Sequence, residues 1–267
     1  MNYRIKIKNI FKDIFRPIWH VKLNFTINRS CYNKFNQGEL IKYKNKHNGE
    51  RCFIIGNGPS LSIADLEKLK NEHTFAANSI YVLYDKTDWR TSYYFCQDST
   101  VLRNNIEDIK KKITSTKFIK PTGYSQDIDD NAICFNVDYN NYKKRISPEF
   151  SEEITDNVKD GYTVTYSMIQ FACYMGFKEI YLLGVDFNYI MKDNKIDEAS
   201  YPDKRMGVKA GGNPDLEYNL LAYQVAKRHA DDQGIKIFNA TRGGILEVFK
   251  RADLDDVLGA KRKNDSI

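Results

Sequence analysis

The sequence predicts an α/β fold with a mostly parallel sheet flanked by helices. Short apolar runs of strand length alternate along the chain with longer stretches of helical periodicity, a pattern typical of strands joined by crossover helices. Several of these predicted strands end in polar residues, as expected where the carboxyl ends of parallel strands form a ligand site. The chain has 267 residues, enough to bury a full hydrophobic core.

The predicted first unit of the fold is a strand, a glycine turn and a helix. Strand Cys52–Ile55 runs into the turn Gly56-Asn57-Gly58-Pro59-Ser60, and Ser62 is the expected N-cap of the next helix. Glycines let the backbone approach a ligand, and a helix N-terminus offers unpaired N–H groups, so the turn suits a phosphate or a nucleotide. Any tight turn between a strand and a helix favours the same residue types without a ligand.

The other elements follow from the same patterns. The predicted strands are Thr74–Ala77, Ser92–Cys96, Lys117–Ile119, Ala132–Val137, Glu179–Leu183 and Ile235–Phe238. The predicted helices are Ile63–Lys70, Val101–Lys112, Val164–Met175 and Leu216–Asp232. Residues 138–161 are polar and show little periodicity. Residues 188–215 are rich in glycine and charged residues, and this composition predicts that the second segment is a lid or is disordered.

The positive charge of the chain is concentrated in its N-terminal segment. The net charge is +6, but residues 1–46 carry 11 Lys and Arg residues against two acidic ones, so the remainder is slightly acidic. This distribution argues against nucleic acid as a partner. The segment reads as basic and amphipathic, which fits an anionic membrane surface, or a helix docked on the body or on a second subunit. We divide the chain into this extension, a domain over 47–258 with a lid at 188–215, and a tail over 259–267.

The cysteines and the hydropathy of the chain indicate in which cellular compartment the protein is expected. The five cysteines form no metal-type pairs, and four lie in apolar runs, as expected of free thiols in a reducing compartment. No apolar run is long enough to span a membrane. We expect a cytoplasmic protein, peripheral at the inner face of the membrane if the extension binds lipid.

Polar residues at the strand ends are the candidate ligand site. They are Gly56 and Asn57, Asn78, Gln97 and Asp98, and Gly184 with Asp186. Asn and Asp are also ordinary turn residues. That explanation is sufficient for any one of these positions, but it accounts less well for all of them together. The sequence has no phosphate-binding loop of the GxxxxGK[ST] type, no DxD pair, no GxSxG elbow and no metal-ligand spacing among its four histidines.

Three blocks of sequence resemble known families. IIGNGPSL at 54–61, Asn78 and GFKEIYLLGVDF at 176–187 are similar to the bacterial sialyltransferases of glycosyltransferase family 42. With KIFNATRGGILEVF at 236–249 they resemble still more closely the MptE-like family, named for a 6-hydroxymethylpterin diphosphokinase. The resemblance covers about residues 50–257.

The resemblance implies a Rossmann-like domain that binds a CMP-sugar without a metal or other cofactor. It places Gly56, Asn57 and Gly58 at the nucleotide phosphate and sugar. The other donor-binding residues implied are Ser60, Asn78, Gln97, Asp98, Thr163, Gly184, Val185 and Asp186. The lid would order over the donor.

The lid departs from the sialyltransferase pattern. Those enzymes use a lid histidine as general base, a few residues after a tyrosine, but residues 188–215 contain no histidine. Tyr201 matches the tyrosine. Asp203 is the nearest carboxylate that could act as base, and Asp197 and Glu198 are others. Lys204 and Arg205 would offset charge on the departing phosphate.

We therefore predict an inverting, metal-independent glycosyltransferase that moves a sialic acid-like sugar from a CMP-sugar to a surface glycan or glycolipid. The sequence does not decide whether the protein forms a homo-oligomer. One alternative is an MptE-like diphosphokinase that uses ATP and Mg²⁺, with Asp98 and Asp186 as metal ligands. The other is a non-catalytic scaffold that binds a nucleotide within a glycan assembly complex.

Overall fold

The fold of this chain is an α/β layer structure built on one large parallel sheet. A computed structural model describes residues 37–121, 128, 132–188, 191–192, 195–196 and 215–264. The strands are β1 (Arg51–Ile55), β2 (His73–Ala77), β3 (Tyr93–Cys96), β4 (Thr116–Ile119), β5 (Ala132–Cys134), β6 (Val137–Asp138), β7 (Val158–Lys159), β8 (Glu179–Leu183), β9 (Met191–Lys192), β10 (Lys195–Ile196), β11 (Lys236–Asn239) and β12 (Lys250–Arg251).

The helices lie between these strands. They are α1 (Gln37–Leu40), α2 (Ile63–Lys68), α3 (Ser99–Lys112), α4 (Asn140–Lys144), α5 (Val164–Tyr174), α6 (Leu216–Asp232) and α7 (Leu254–Asn264), with 3₁₀ helices at Ile41–Tyr43 and Asn78–Asp85. The expected cap of α2 is confirmed, because Oγ of Ser62 accepts the N–H of Asp65 at 3.1 Å.

The main sheet has eight strands in the order β12-β11-β8-β1-β2-β3-β4-β5, and all its pairings are parallel. The predicted fold class is thus confirmed. The chain extends from β1 through β5 on one side and then returns to β8 on the other side of β1. The order therefore reverses between β1 and β8, where Ile55 lies beside Leu183. Ligands of open parallel sheets bind at such a reversal, beyond the carboxyl ends of the strands.

Both faces of the sheet are covered, which explains why its strands are continuous apolar runs. One core layer packs α5 and α6 on the sheet, with Phe171, Ala222 and Ala226 fully buried. The other packs α2, α3 and the second 3₁₀ helix, with Leu66 and Ile109 fully buried. Cys52, Cys96 and Cys134 are buried and Cys173 is partly buried, and the thiols of Cys52, Cys96 and Cys173 are free.

Several regions differ from the predicted elements, among them the run 132–137 and the C-terminal end of the chain's described part. The predicted strand Ala132–Val137 is divided, because only β5 continues the main sheet, whereas β6 pairs with β7 in a separate two-stranded sheet. The carbonyl of Asn136 accepts the N–H of Val158 at 2.8 Å and so starts this second pairing. The C-terminal helix α7 was not predicted, and it continues to Asn264, past the predicted domain boundary at 258.

The predicted amphipathic stretch of the N-terminal extension lies outside the described residues. From residue 37 onward the chain packs on the body, since Leu40 is buried in the core. Among the residues that the structure describes, no helix combines the length and apolar character needed to cross a membrane.

Candidate functional site

The candidate site lies where the loops after β1 and β8 meet. The N–H of Gly56 donates to the carbonyl of Leu183 at 2.8 Å, and the N–H of Gly58 donates to the carbonyl of Gly184 at 2.9 Å. These bonds continue the pairing of the two strands beyond their ends. The N–H groups of Gly56 and Gly58 are thus paired with protein, and are not the free phosphate donors that the glycine turn predicts.

The glycines permit this close approach. A Cβ at Gly56 would lie 2.4 Å from the carbonyl oxygen of Gly184, and a Cβ at Gly58 would lie 2.0 Å from Oδ2 of Asp186. Gly184 also has a φ of +67°, in the left-handed region that favours glycine. All three glycines are therefore required for the two loops to pack against each other, whether or not a ligand is bound.

Asp186 joins the two loops through its side chain. Its carboxylate accepts the N–H of Ser60 at 3.2 Å and the hydroxyl of Ser60 at 2.8 Å, and only 7% of the residue is exposed. Burial raises the pKa of Asp186, while the two bonds from Ser60 act in the opposite direction. The predicted site residues Ser60 and Asp186 are thus brought together.

The loop after β11 supports this arrangement, a role that the sequence interpretation did not assign. The hydroxyl of Thr241 accepts the N–H of Val185 at 3.0 Å, and the N–H of Ile245 donates to the carbonyl of Asp186 at 2.8 Å. The guanidinium of Arg251 donates in turn to the carbonyls of Thr241 and Gly243. The Gly184–Asp186 segment is therefore held from both sides.

Two asparagine side chains at neighbouring strand ends carry unused acceptors. Asn57 donates through Nδ2 to the carbonyl of Ala77 at 3.1 Å, which ties the end of β1 to the end of β2. Asn78 has a φ of +55°, and its carbonyl accepts the hydroxyl of Tyr94 at 2.9 Å. Oδ1 of each asparagine is buried without a hydrogen-bond partner among the described residues. An unpaired buried acceptor costs free energy, so these two oxygens are suited to donors from a ligand.

The remaining predicted site residues of the described part make structural bonds. Oε1 of Gln97 accepts the hydroxyl of Ser167 at 2.7 Å, which joins the end of β3 to α5. Asp98 caps α3 by accepting the N–H groups of Thr100 and Val101. Thr163 caps α5, whose N-terminus lies at the carboxyl edge of the sheet because the helix ends just before β8 begins. These bonds account for all three side chains without a ligand.

Asp160 is a buried carboxyl group at this edge that the sequence interpretation missed. It follows β7, is 3% exposed, and accepts the N–H of Tyr162 at 2.9 Å through Oδ1. Its Oδ2 is buried without a partner among the described residues. Burial raises its pKa to about 6, and the nearby Lys120 partly offsets the shift. One indication of this site is present in the sequence: Asp160 is followed by Gly161 and, two residues later, by the helix cap Thr163, within the polar region 138–161.

The predicted lid residues Tyr201, Asp203, Lys204 and Arg205 lie outside the described residues, as does most of the segment 188–215. Their roles remain predictions.

The chain belongs to the MptE-like family. The family model described as 6-hydroxymethylpterin diphosphokinase MptE-like matches residues 24–192, more than half of the chain. No curated protein sequence is similar enough to this chain to count as a relative.

Solved structures of glycosyltransferases share the fold. The Maf glycosyltransferase of Magnetospirillum magneticum AMB-1 is similar with a TM-score of 0.52 and 16% identity, over 86% of this chain and 41% of that one. The chain thus spans less than half the length of this relative. The sialyltransferase CstII of Campylobacter jejuni, in complex with cytidine-5'-monophosphate, is similar with a TM-score of 0.47 and 19% identity, over 78% of this chain and 86% of that one. For the sialyltransferase Cst-I of Campylobacter jejuni the TM-score is 0.41 and the identity 16%, over 81% and 96% of the two chains.

Proposed function

We propose that this protein is a glycosyltransferase that uses a nucleotide-sugar donor, with a CMP-linked sialic acid-like sugar as the first candidate. The observation that carries the proposal is the meeting of the Gly56–Ser60 and Gly184–Asp186 loops at the reversal of strand order. Asn57 and Asn78 place unused acceptors beside it. The choice of CMP rests on the resemblance of the sequence blocks to the sialyltransferases.

In the proposed reaction an acceptor hydroxyl attacks the anomeric carbon of the donor sugar. The new bond joins the acceptor oxygen to that carbon, and the bond from the carbon to the phosphate oxygen breaks. CMP leaves with the electron pair, and the proton of the hydroxyl passes to a base. The products are the glycosylated acceptor and CMP, with inversion at the anomeric carbon.

Two carboxyl groups are candidates for the base. Asp203 is the candidate that the lid sequence offers, next to Tyr201 and the cationic pair Lys204 and Arg205. Asp160 is the candidate in the described part of the chain. A carboxyl group whose pKa is raised to about 6 is ionised at neutral pH and still accepts a proton readily, which suits a general base.

The family description favours the diphosphokinase as a second candidate function. Its predicted Mg²⁺ ligands Asp98 and Asp186 fit the metal poorly, since Asp98 caps α3 and Asp186 accepts both donors of Ser60. Within the described residues, neither belongs to a group of three potential metal ligands. The proposed reaction therefore does not use Mg²⁺ at these two residues.

A calorimetric binding panel tests the proposal. CMP, UDP, GDP and ATP are each titrated into the full chain, once with EDTA and once with Mg²⁺. We expect CMP to bind with a Kd in the micromolar range, unchanged by EDTA. Binding of ATP that requires Mg²⁺ would overturn the proposal in favour of the diphosphokinase. Binding of UDP or GDP would retain the glycosyltransferase and exclude the CMP donor. CMP binding without transfer from a CMP-sugar in a separate turnover assay would indicate the scaffold.

Variants of Asn57 and Asp186 test the position of the site. Asn57→Ala is expected to lower turnover at least about tenfold by removing a ligand contact of about 1.4 kcal/mol. Asp186→Ala should also unfold more easily, by about 1–3 kcal/mol, because it leaves the donors of Ser60 unpaired. Asp186→Asn keeps an acceptor for Ser60 and serves as the matched control for stability. Near-normal turnover of Asn57→Ala and Asp186→Asn would contradict this placement.

A further inference from the structure

A second polar cluster lies at the opposite, amino edge of the sheet. His47 and Glu50 precede β1, and His73 is the first residue of β2. One potential ligand atom from each of the three lies within 4.8 Å of the other two. Oε1 of Glu50 is 3.4 Å from Nδ1 of His47, and Oε2 is 2.7 Å from Nε2 of His73. The two histidines are 26 positions apart in the sequence, so the cluster does not match the short spacing of a metal-binding sequence motif.

The surrounding residues fix the ring of His47. Its Nε2 is 2.7 Å from the hydroxyl of Tyr93, and Phe177 stacks on the ring at a centroid distance of 4.6 Å. In metal sites the second ring nitrogen of a ligating histidine is commonly held by such a hydrogen bond, which leaves the first nitrogen free for the metal. Here Nδ1 is that nitrogen, and it faces Glu50 at a distance longer than that of an ordinary hydrogen bond.

The segment that carries His47 and Glu50 is anchored by backbone bonds. The N–H of His47 donates to the carbonyl of Met175 at 2.8 Å, and the N–H of Gly49 donates to that of Gly176 at 3.0 Å. The carbonyl of Glu50 accepts the N–H of Lys178 at 2.9 Å. His73 is fixed by the register of β2, where it lies beside Cys52 of β1. The backbone is thus preorganised, and only side-chain rotation is needed to bring the ligand atoms together.

The chemistry of the three groups selects a particular class of ion. Two imidazole nitrogens and one carboxylate are a donor set that zinc prefers and that Mg²⁺ and Ca²⁺ do not. Ligand atoms around tetrahedral zinc are about 3.3 Å apart; the separation between Glu50 and His47 is 3.4 Å, and that between Glu50 and His73, 2.7 Å, would have to lengthen when the ion binds.

We propose that His47, Glu50 and His73 form a zinc-binding site at the amino edge of the sheet. The side chains of Glu50 and His73 are 48% and 40% exposed, which gives the ion access from solvent and leaves room for water as the remaining ligand. The site would link the segment before β1 to β2 and the end of α5. It is separate from the proposed donor site, which lies at the other end of the same strands, about 17 Å away.

Zinc titration of the EDTA-treated and dialysed full chain tests this site. We expect calorimetry to show one zinc ion bound per chain, a rise in Tm on adding zinc, and no heat with Mg²⁺. His73→Ala should weaken zinc binding at least about 100-fold, since removing a ligand costs more than removing its hydrogen-bond partner. Tyr93→Phe, which removes only that partner, should weaken it by about tenfold.

His229→Ala is the matched control. Nδ1 of His229 lies 3.6 Å from a carboxylate oxygen of Glu152, and its ring stacks on Phe150, but in the described part of the chain it has no third ligand. This variant should bind zinc as the unmodified chain does. Should His73→Ala fail to fold, Glu50→Gln replaces it, because Glu50 is about half exposed. Absence of zinc binding at micromolar concentrations, or equal binding by the His73 and His229 variants, would overturn the proposal and leave a metal-free hydrogen-bonded cluster.

Discussion

Replacing Gly58 with alanine is expected to destabilise the protein by about 3 kcal/mol, at the upper end of the usual cost of overpacking. The new Cβ would lie 2.0 Å from Oδ2 of Asp186 and 2.6 Å from the carbonyl oxygen of Gly184. Relief of this contact would require the loops after β1 and β8 to separate, which would break the bonds from Ser60 to Asp186. Urea unfolding measures the change in the free energy of unfolding. Nucleotide binding should be lost in the same variant.

Gly259→Ala is the control for this substitution. Gly259 lies in α7, and a Cβ there would meet no atom within 4 Å. Alanine in a helix is favoured over glycine, so this variant should be unchanged or more stable by up to about 1 kcal/mol. If Gly58→Ala unfolds within about 1 kcal/mol of this control, the two loops are not packed as described, and the basis of the proposed site fails.

Much of the fold was predictable because local pattern and tertiary burial agree. Strand β8 has the predicted limits Glu179–Leu183 and its apolar residues Ile180–Leu183 are buried, and Ser62 caps α2 as its side chain suggests. Prediction failed where pairing decides the structure. The run 132–137 is apolar except for Asn136, yet the chain leaves the main sheet after β5 because the bond from Val158 to Asn136 begins a second sheet.

The candidate site was predictable in its position but not in its bonding. The polar strand ends Asn57, Asn78 and Asp186 do lie along one edge of the sheet, as parallel strands require. The sequence could not show that Gly56 and Gly58 pack on the loop after β8, because that contact depends on which strand is the neighbour of β1. For the same reason His47 and His73 were not recognised as neighbours.

Asp160→Asn is expected to raise stability at neutral pH while lowering activity. Burial is the main cause that raises the pKa of Asp160 from the ordinary 3.8 to about 6; the charge of Lys120 lowers this pKa and that of Asp138 raises it. Burial and the charge of Asp160 in turn raise the pKa of Tyr139, Tyr166 and Tyr218. Between these two pH values the folded state keeps a proton that the unfolded state has lost, so stability falls as pH rises. Above pH 6 the full cost of about 3 kcal/mol is present.

Asparagine removes this ionisation and retains an acceptor for the N–H of Tyr162. The variant should therefore gain up to about 3 kcal/mol at pH 7 and progressively less toward about pH 3, below the ordinary pKa, where both states of the unmodified chain are mainly protonated. Thermal unfolding over that pH range measures the difference. A gain that does not depend on pH would contradict the raised pKa of Asp160.

The pH profile of turnover then decides between the two candidate bases. If Asp160 is the base, kcat/KM of the unmodified enzyme should rise with pH through about 6 and level off above it, because the ionised form accepts the proton. Asp160→Asn should lose about 100-fold or more in kcat/KM and lose this rise, while Asp203→Asn should keep it. The reverse result, with full activity in Asp160→Asn and a loss in Asp203→Asn, would assign the base to the lid. In that case the buried charge of Asp160 would serve to hold Lys120 and the N-terminus of α5 in place.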